Sequence, residues 1–209
     1  MLNLLKKYEE EYARDAYQGS EDGDFYRFDD RGSRLVLTAP HAVRTFRNQK
    51  PKAPDLYTGA LARLAGEQSG VSAIIRRRFS REKNSVTNFI SDRKLERHWF
   101  LDIHGMNGSR GFELAVGTGI LPAADYAGAL EKIGQLAEKY RISWVVNHPD
   151  YTGKFGLTGD LQRLWSAPRI LQLEWRLDLR DFYHFSDHVI NRTLPFIAEL
   201  VLSESLFAG

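Results

Sequence analysis

The stretch Leu35-Val-Leu-Thr-Ala-Pro-His41-Ala-Val-Arg44 is an apolar run of β type that ends abruptly at a proline and a histidine. The same design recurs at Trp99-Phe-Leu-Asp-Ile-His104-Gly105, where a second apolar run ends on a histidine. In open α/β sheets, ligands bind in the crevice outside the carboxyl ends of the strands. Two strands that each have a histidine at their carboxyl end therefore predict a metal-binding crevice.

Strand-type and helix-type segments alternate around these two stretches. Helical spacing is found over 3–17, from Asp55 to Ala65, and over 85–97, 123–140 and 182–206, with a kink expected at Pro195. Strands are predicted at 25–28, 34–37, 71–75, 101–104, 112–116, 143–147 and 169–175, and loops at 42–54 and 150–159. This alternation predicts the α/β class, with a mixed central β-sheet flanked by helices in three layers, as a single domain over 1–209.

Composition excludes several classes of function. The chain has 209 residues, with 29 basic against 27 acidic side chains, so it lacks the basic excess typical of nucleic-acid binding. It contains no cysteine, which excludes disulfides and thiolate chemistry and leaves nitrogen and oxygen ligands for any metal. No stretch approaches the roughly 20 apolar residues of a membrane span, and the N-terminus resembles a short amphipathic helix rather than a signal peptide. We therefore expect a soluble cytoplasmic protein, of open oligomeric state.

His41, His104 and Asp55 are the candidate metal ligands. A single histidine at a strand end is more often a hydrogen-bonded polar residue, but the shared context of these two favours a common site. Asp55 stands after a proline at a helix start, where it is either a third ligand or an N-cap that accepts a bond from the helix amides. Asp102 lies two residues before His104 on the same strand face, where it can orient the imidazole or, equally, bind a neighbouring helix or loop.

Glu174 is unusual because it lies in the otherwise apolar strand segment Leu171-Gln-Leu-Glu-Trp175. Glutamate is almost never fully buried without a partner. A catalytic zinc keeps three protein ligands and one open position for water. A nearby carboxylate then takes the proton as the water attacks and passes it to a leaving amine. Glu174 is therefore the candidate catalytic base beside the three candidate ligands.

The order of several short motifs resembles the N-formylglutamate amidohydrolase family, which looks related to zinc carboxypeptidases. These motifs are Thr38-Ala-Pro-His41, Asp55-Leu-Tyr-Thr-Gly59, Glu82-Lys-Asn84, Leu101-Asp-Ile-His-Gly105 and Leu171-Gln-Leu-Glu174. The similarity extends from about Leu35 to Arg180. It implies a phosphorylase/hydrolase-like, zinc-exopeptidase-like fold and a hydrolase of carbon–nitrogen amide bonds with one Zn2+ per chain.

By position, the resemblance assigns His41, Asp55 and His104 to zinc and Glu174 to acid/base catalysis. The family commonly has an Asp-x-Asn element, often beside an arginine, whereas this chain has Glu82-Lys83-Asn84 with Arg81 before it. This departure bears on the substrate more than on the chemistry. The candidate groups for holding a substrate carboxylate are Arg44, Arg81, Asn84 and Arg180. Guanidinium can clamp a carboxylate bidentately, but for any one of these arginines taken alone a surface or structural ion pair is the favoured interpretation.

The expected substrate is a small carboxylate-bearing molecule, namely an N-acyl amino acid such as N-formylglutamate. Two alternatives stay open: a peptidase-like hydrolase of γ-glutamyl or cell-wall amide bonds, and a binding protein that has lost turnover. His184 and His188 have a spacing that can share a metal, although exposed helix positions are the simpler interpretation. No Gly-x-Ser-x-Gly elbow or phosphate-binding loop is present, which argues against serine hydrolases and nucleotide binding.

Overall fold

The computed structural model describes residues 1–47, 49–81, 85–106, 108–165 and 169–203. Its α-helices are α1 (Leu2–Tyr17), α2 (Thr58–Ser69), α3 (Val86–Asp92), α4 (Ala127–Lys139), α5 (Leu157–Leu164), α6 (Ser186–His188) and α7 (Leu194–Val201). Its strands are β1 (Tyr26–Asp29), β2 (Leu35–Ala39), β3 (Thr45–Arg47), β4 (Lys50–Lys52), β5 (Ser72–Arg76), β6 (Trp99–Gly105), β7 (Leu114–Gly117), β8 (Trp144–Val146) and β9 (Ile170–Trp175).

Seven of the described strands form one mixed sheet in the order β1-β5-β2-β6-β9-β7-β8. The four central strands β5, β2, β6 and β9 are mutually parallel, whereas β1 and β7 run antiparallel to their neighbours β5 and β9. Strand β2 is buried along its whole length, as expected of a parallel strand covered on both faces. The carboxyl ends of four strands thus meet at one edge.

Helices cover both faces of this sheet. The larger apolar cluster joins α1, α2, α4 and α7 to one face. A smaller cluster, which includes Val36, Phe100 and Ile170, joins α3 and α5 to the other. The predicted three-layer α/β class with a mixed central sheet is therefore confirmed.

Side-chain alternation places the polar residues of β6 and β9 on the face that α3 and α5 cover. Phe100 belongs to the smaller apolar cluster, so Asp102 and His104, two and four residues further along β6, lie on the same face. In the parallel register of β6 and β9, Asp102 is opposite Gln172 and His104 is opposite Glu174. The two strands therefore deliver their polar side chains to one place.

Some elements differ from their sequence predictions. The predicted loop 42–54 contains the hairpin of β3 and β4, and α5 begins at Leu157, inside the predicted loop 150–159. The predicted C-terminal helix is present but divided, because a π-helical segment, Val189–Thr193, precedes α7, where Pro195 lies in the first turn. Proline has no N–H for the regular helical ladder, which accounts for the interruption. Among the described helices, none combines the length and apolar composition that a bilayer span requires.

Candidate active site

His104 is the centre of the polar cluster at the carboxyl ends of the strands. Its Nε2 atom lies 2.9 Å from Asp102 Oδ2, and its Nδ1 atom lies 2.9 Å from Asp55 Oδ2. Both ring nitrogens therefore face carboxylates, and either a proton or a cation is needed to link Nδ1 to Asp55. Burial lowers the pKa of His104, but Asp102, Asp55 and Glu174 outweigh it, so the pKa is held well above its usual value.

Asp102 is fixed behind His104 by a second hydrogen bond. The Thr38 hydroxyl on β2 donates to Asp102 Oδ1 at 2.6 Å, and both side chains are completely buried. A carboxylate on Nε2 favours the imidazole tautomer whose Nδ1 lone pair is free for a metal. The predicted contact between Asp102 and His104 is therefore present, in the geometry of an orienting carboxylate.

Asp55 does not act as the N-cap of α2, which was one of its two predicted roles. The helix begins at Thr58, and its cap residue Tyr57 makes no side-chain capping bond and has a left-handed φ of 72°. The Asp55 carboxylate turns towards His104, while its main-chain N–H donates to His41 O at 2.8 Å. Burial raises the pKa of Asp55, but the bond to His104 and the positive charges of His104 and Lys52 dominate and hold that pKa well below its usual range.

His41 follows β2 and lies beside His104, with 5.1 Å between the ring centroids. Its Nδ1 atom is 3.4 Å from the Thr45 hydroxyl. Burial, reinforced by the charge of Lys52, lowers the pKa of His41 well below its usual value. His41 is consequently a neutral imidazole at physiological pH, which is the protonation state that a metal ligand requires.

Glu174 on β9 is half-buried opposite His104. Its Oε1 atom accepts a hydrogen bond of 3.0 Å from the Gln172 amide. Burial raises the pKa of Glu174 even though His104 counteracts it. A carboxylate whose pKa is raised towards neutrality suits the exchange of a proton during catalysis.

The donor chemistry of this cluster matches zinc, since it offers two imidazoles and one carboxylate from three segments. Two atoms bound to one tetrahedral zinc at about 2.0–2.1 Å lie roughly 3.3 Å apart, close to the 2.9 Å between Asp55 and His104. Among the described residues, however, no group of three or more His, Cys, Asp or Glu side chains is arranged to hold a metal ion. The ligand set of His41, Asp55 and His104 therefore stays a prediction.

The space beside these residues is a cavity of about 200 Å³, which we call the site cavity. Its lining includes His41, His104, Gln172, Glu174 and Lys52. Lys52, whose Nζ atom is 3.4 Å from Asp55 Oδ1, was not singled out from the sequence. Its position three residues before Asp55 was the available signal, but the β3–β4 hairpin that aims it at the cavity depends on pairing within a segment predicted as a loop.

A second residue missed from the sequence is Arg76, the last residue of β5. It is buried, and its guanidinium donates to the Tyr26 hydroxyl and to Arg78 O, both at 3.1 Å. It lines a cavity of about 180 Å³, the middle cavity, which also touches His41. The signal was its place at the end of a central strand, which corresponds to that of His104 on β6.

The predicted substrate-binding residues lie in different settings. Arg44 and Arg81 are exposed, and neither lines the site cavity or the middle cavity. Asn84 lies outside the described residues. The structure thus brings Lys52, rather than Arg44 or Arg81, next to the candidate base.

Arg180 is buried behind the site instead of facing the cavity. Its guanidinium donates to three main-chain carbonyls, those of Trp175 at 3.2 Å, Met106 at 3.1 Å and Leu56. Gly105 permits this approach, because a Cβ atom there would lie 2.5 Å from Arg180 Cζ. This placement favours a structural role for Arg180 over a direct contact with substrate.

His184 and His188 do not share a site. His184 Nδ1 lies 2.8 Å from Asp181 Oδ2, whereas His188 Nδ1 lies 3.8 Å from Asp178 Oδ2. Each imidazole therefore lies nearest a different carboxylate. His184 is exposed but lies in a turn before α6, whereas His188 is on α6 and is half-buried. Their interpretation as exposed helix residues is thus confirmed only for the exposure of His184.

No family model matches the chain, and no curated protein matches it in sequence. Solved structures do match. A bacteriophage poly-gamma-glutamate hydrolase is 15% identical, with a TM-score of 0.58 over 89% of this chain and 90% of its own. The N-formylglutamate amidohydrolase of Ralstonia eutropha is 13% identical, with a TM-score of 0.52 over 85% and 95%. A zinc-free apo form of the protein YNDL is 15% identical, with a TM-score of 0.50 over 90% and 91%. At these identities the likeness establishes a shared fold.

Proposed function

We propose that this protein is a zinc-dependent hydrolase that cleaves the amide bond of a carboxylate-bearing N-acyl amino acid such as N-formylglutamate. The observation that carries the proposal is the convergence of His41, Asp55, His104 and Glu174 at the carboxyl ends of the central strands. The names of the structures that share the fold, an amidohydrolase and a poly-γ-glutamate hydrolase among them, support the same class of reaction.

In this proposal His41, Asp55 and His104 hold one Zn2+, and Asp102 keeps His104 in the tautomer that presents Nδ1. When bound, the ion polarises the amide carbonyl and makes water a stronger acid. Glu174 accepts a proton from the attacking water and returns it to the leaving nitrogen, so that an amine departs. The raised pKa of Glu174 favours that return step.

Lys52 is the group we assign to the substrate carboxylate. Its ammonium group lines the same cavity as Glu174, and an ammonium ion attracts a carboxylate strongly where water is partly excluded. This replaces the predicted clamp by Arg180, whose donors are directed at main-chain carbonyls.

A second candidate function is hydrolysis of γ-glutamyl bonds within longer chains. The observation that favours it is that the site cavity is not closed on the side of Phe155, since Phe155 and Gly156 line both the site cavity and the middle cavity. A small N-acyl amino acid does not need the space of the middle cavity, whereas a longer chain does.

The test combines metal analysis with an amide screen. We expect about one zinc ion per chain, reduced by His41→Ala, and hydrolysis of N-formyl-L-glutamate or a γ-glutamyl dipeptide that chelation abolishes and zinc restores. Glu174→Gln should lower kcat by at least about 100-fold with zinc retained, and Glu131→Gln on the exposed face of α4 is the matched control. Less than about half an ion per chain, unchanged by His41→Ala, contradicts the metalloenzyme. Loss of zinc from Glu174→Gln means that Glu174 is a ligand.

A further inference from the structure

Beyond the middle cavity, the cleft opens into a third space of about 440 Å³, which we call the distal cavity. The middle cavity shares His41 and Phe155 with the site cavity on one side. On the other side it shares Ser85 and Asp160 with the distal cavity. The three spaces therefore adjoin one another and form one groove from Glu174 to the α3 and α5 helices.

The distal cavity is more than twice the volume of the site cavity, about 440 Å³ against 200 Å³. A small N-acyl amino acid that reacts beside Glu174 occupies the site cavity and does not extend to α3. The distal cavity is thus additional space, and it suits a substrate that continues past the scissile bond.

The chemistry of the distal walls suits an amide-linked chain. Asn88 on α3 and the hydroxyl groups of Ser85 and Thr87 offer hydrogen bonds, while Leu164 exposes 60% of its surface. Phe155, where the middle cavity meets the site cavity, exposes 76%. A wall that offers both polar and apolar surface suits a chain that contains both amide groups and methylene groups.

The charges of the distal wall are balanced. Arg163 Nη1 lies 3.0 Å from Asp160 Oδ1, and its Nη2 donates to Lys154 O at 2.9 Å. This pair links α5 to the loop that carries Phe155. Because Asp160 and Arg163 balance one another and the other described residues of this wall are uncharged, the wall contacts the backbone of a chain rather than its carboxylates, and binding there depends weakly on salt.

We propose that the distal cavity is a subsite for the continuing part of a chain of amide-linked glutamate units, one end of which lies at Glu174. This inference rests on the proposed function, because it names the longer of the two substrate classes for the same groove. It assigns to α3 and α5 the binding of substrate units that lie beyond the reach of the candidate catalytic residues.

The experiment measures binding of fluorescein-labelled γ-glutamyl chains of three and ten units by fluorescence anisotropy, in the Glu174→Gln background so that the chains persist. We expect the ten-unit chain to bind about tenfold more tightly than the three-unit chain. Asn88→Trp, which fills the distal cavity without changing charge, should remove this advantage and leave three-unit binding unchanged. Ser91→Trp, exposed on the same helix but outside the groove, should retain it.

Equal affinity for the two chains overturns the subsite, as does an Asn88→Trp variant that weakens both chains equally or neither. If Asn88→Trp does not fold, Leu164→Ser provides the same comparison, because it removes the exposed apolar contact. If the tighter binding of the ten-unit chain disappears in 0.5 M salt, its cause is attraction of the chain's carboxylates to basic groups and not contact with the distal wall. This result also overturns the subsite. If no amide is hydrolysed but length-dependent binding sensitive to Asn88→Trp persists, the proposed function fails and the subsite stands.

Discussion

Buried charged side chains contact the segment Asp55–Tyr57 from two sides. On one side they contact other side chains, and on the other they bind the main chain. On the side of the cleft, Asp55 turns its carboxylate to His104 beside the cavity that Glu174 lines. Asp55 faces His104, and His104 and Glu174 line the site cavity. They are therefore available to a ligand.

On the opposite side, which we call the support side, the charged groups bind the main chain. Arg180 donates to the carbonyl of Leu56, and Glu9 on α1 accepts the Tyr57 N–H at 3.1 Å. The segment that carries Asp55 is thus held by a cation on one residue and by an acid on the next. The contrast teaches that a buried charge in this fold marks either a ligand site or a fastening of the backbone, and that its hydrogen-bond partners distinguish the two.

The largest effect that separates the two sides is expected from Arg180→Leu. Three carbonyls lose their donors, at a cost of about 1–3 kcal/mol for each buried unsatisfied group. We expect the free energy of unfolding to fall by about 4 kcal/mol, measured by urea denaturation. Arg169→Leu, which removes one exposed bond to Arg97 O, should cost at most about 0.5 kcal/mol. Unchanged stability with a raised KM in Arg180→Leu restores the substrate clamp predicted from the sequence.

The support side also predicts a dependence of stability on pH. Burial raises the pKa of Glu9 to about 7, although the Tyr17 hydroxyl and the Tyr57 N–H favour its charged form. Since the folded state then binds a proton more tightly than the unfolded chain, Glu9 makes stability fall as pH rises from about 4.5 to 7, and the loss is complete above that range. The shift corresponds to about 3 kcal/mol.

Glu9→Gln removes this dependence, because the amide keeps the Oε1 acceptor and cannot ionise. Relative to the unaltered protein, the variant should gain about 2.5 kcal/mol of unfolding free energy between pH 5 and pH 8, measured by urea denaturation at both values. Glu10→Gln, at the neighbouring exposed position, is the control and should show no such gain. A difference between variant and parent that is the same at both pH values contradicts the assignment.

On the side of the cleft, Asp102→Asn tests how His104 is oriented. The asparagine amide donates to Nε2 and thereby moves the imidazole proton to Nδ1, the atom that faces Asp55. We expect zinc affinity and kcat/KM to fall about 10–100-fold, with unfolding free energy changed far less than in Arg180→Leu. Thr38→Val, which removes only the bond to Asp102 Oδ1, should have a smaller effect of the same kind. An Asp102→Asn variant that binds zinc normally shows that the tautomer of His104 is not what Asp102 controls.

The strands of the cleft were predictable because the relevant signals are local. Two apolar runs end at His41 and His104, and a third contains the acid Glu174. The apolar run identifies each strand, and the polar residue identifies the strand end that faces the crevice. Parallel pairing then places His104 opposite Glu174. The fold class and the neighbourhood of these residues follow from this pattern.

The roles of Asp55, Lys52 and Arg180 were not predictable, because each depends on distant contacts. From the sequence, Asp55 is either a metal ligand or the N-cap of α2. The N-cap role is excluded only by the structure, in which Tyr57 is left-handed and α2 begins at Thr58. Lys52 depends on the short β3–β4 hairpin, and Arg180 on carbonyls from three separate segments. Sequence identifies the charged residue in each case, but only the fold shows whether its charged group contacts another candidate site residue or the main chain.

The smallest effect is expected from Lys52→Ala, which tests whether the cation of the cleft recognises substrate. Its ammonium group lines the cavity with Glu174 but also lies 3.4 Å from Asp55 Oδ1. If it binds the substrate carboxylate, KM should rise about tenfold with kcat nearly unchanged. The difference in KM between the variant and the unaltered protein should become smaller at high salt, because salt screens the charge of Lys52. Lys50→Ala, exposed on the same hairpin strand, should leave both constants unchanged. A fall in kcat or in zinc content at constant KM indicates instead that Lys52 acts on Asp55, which places it with the residues that fasten the site rather than with those that bind the ligand.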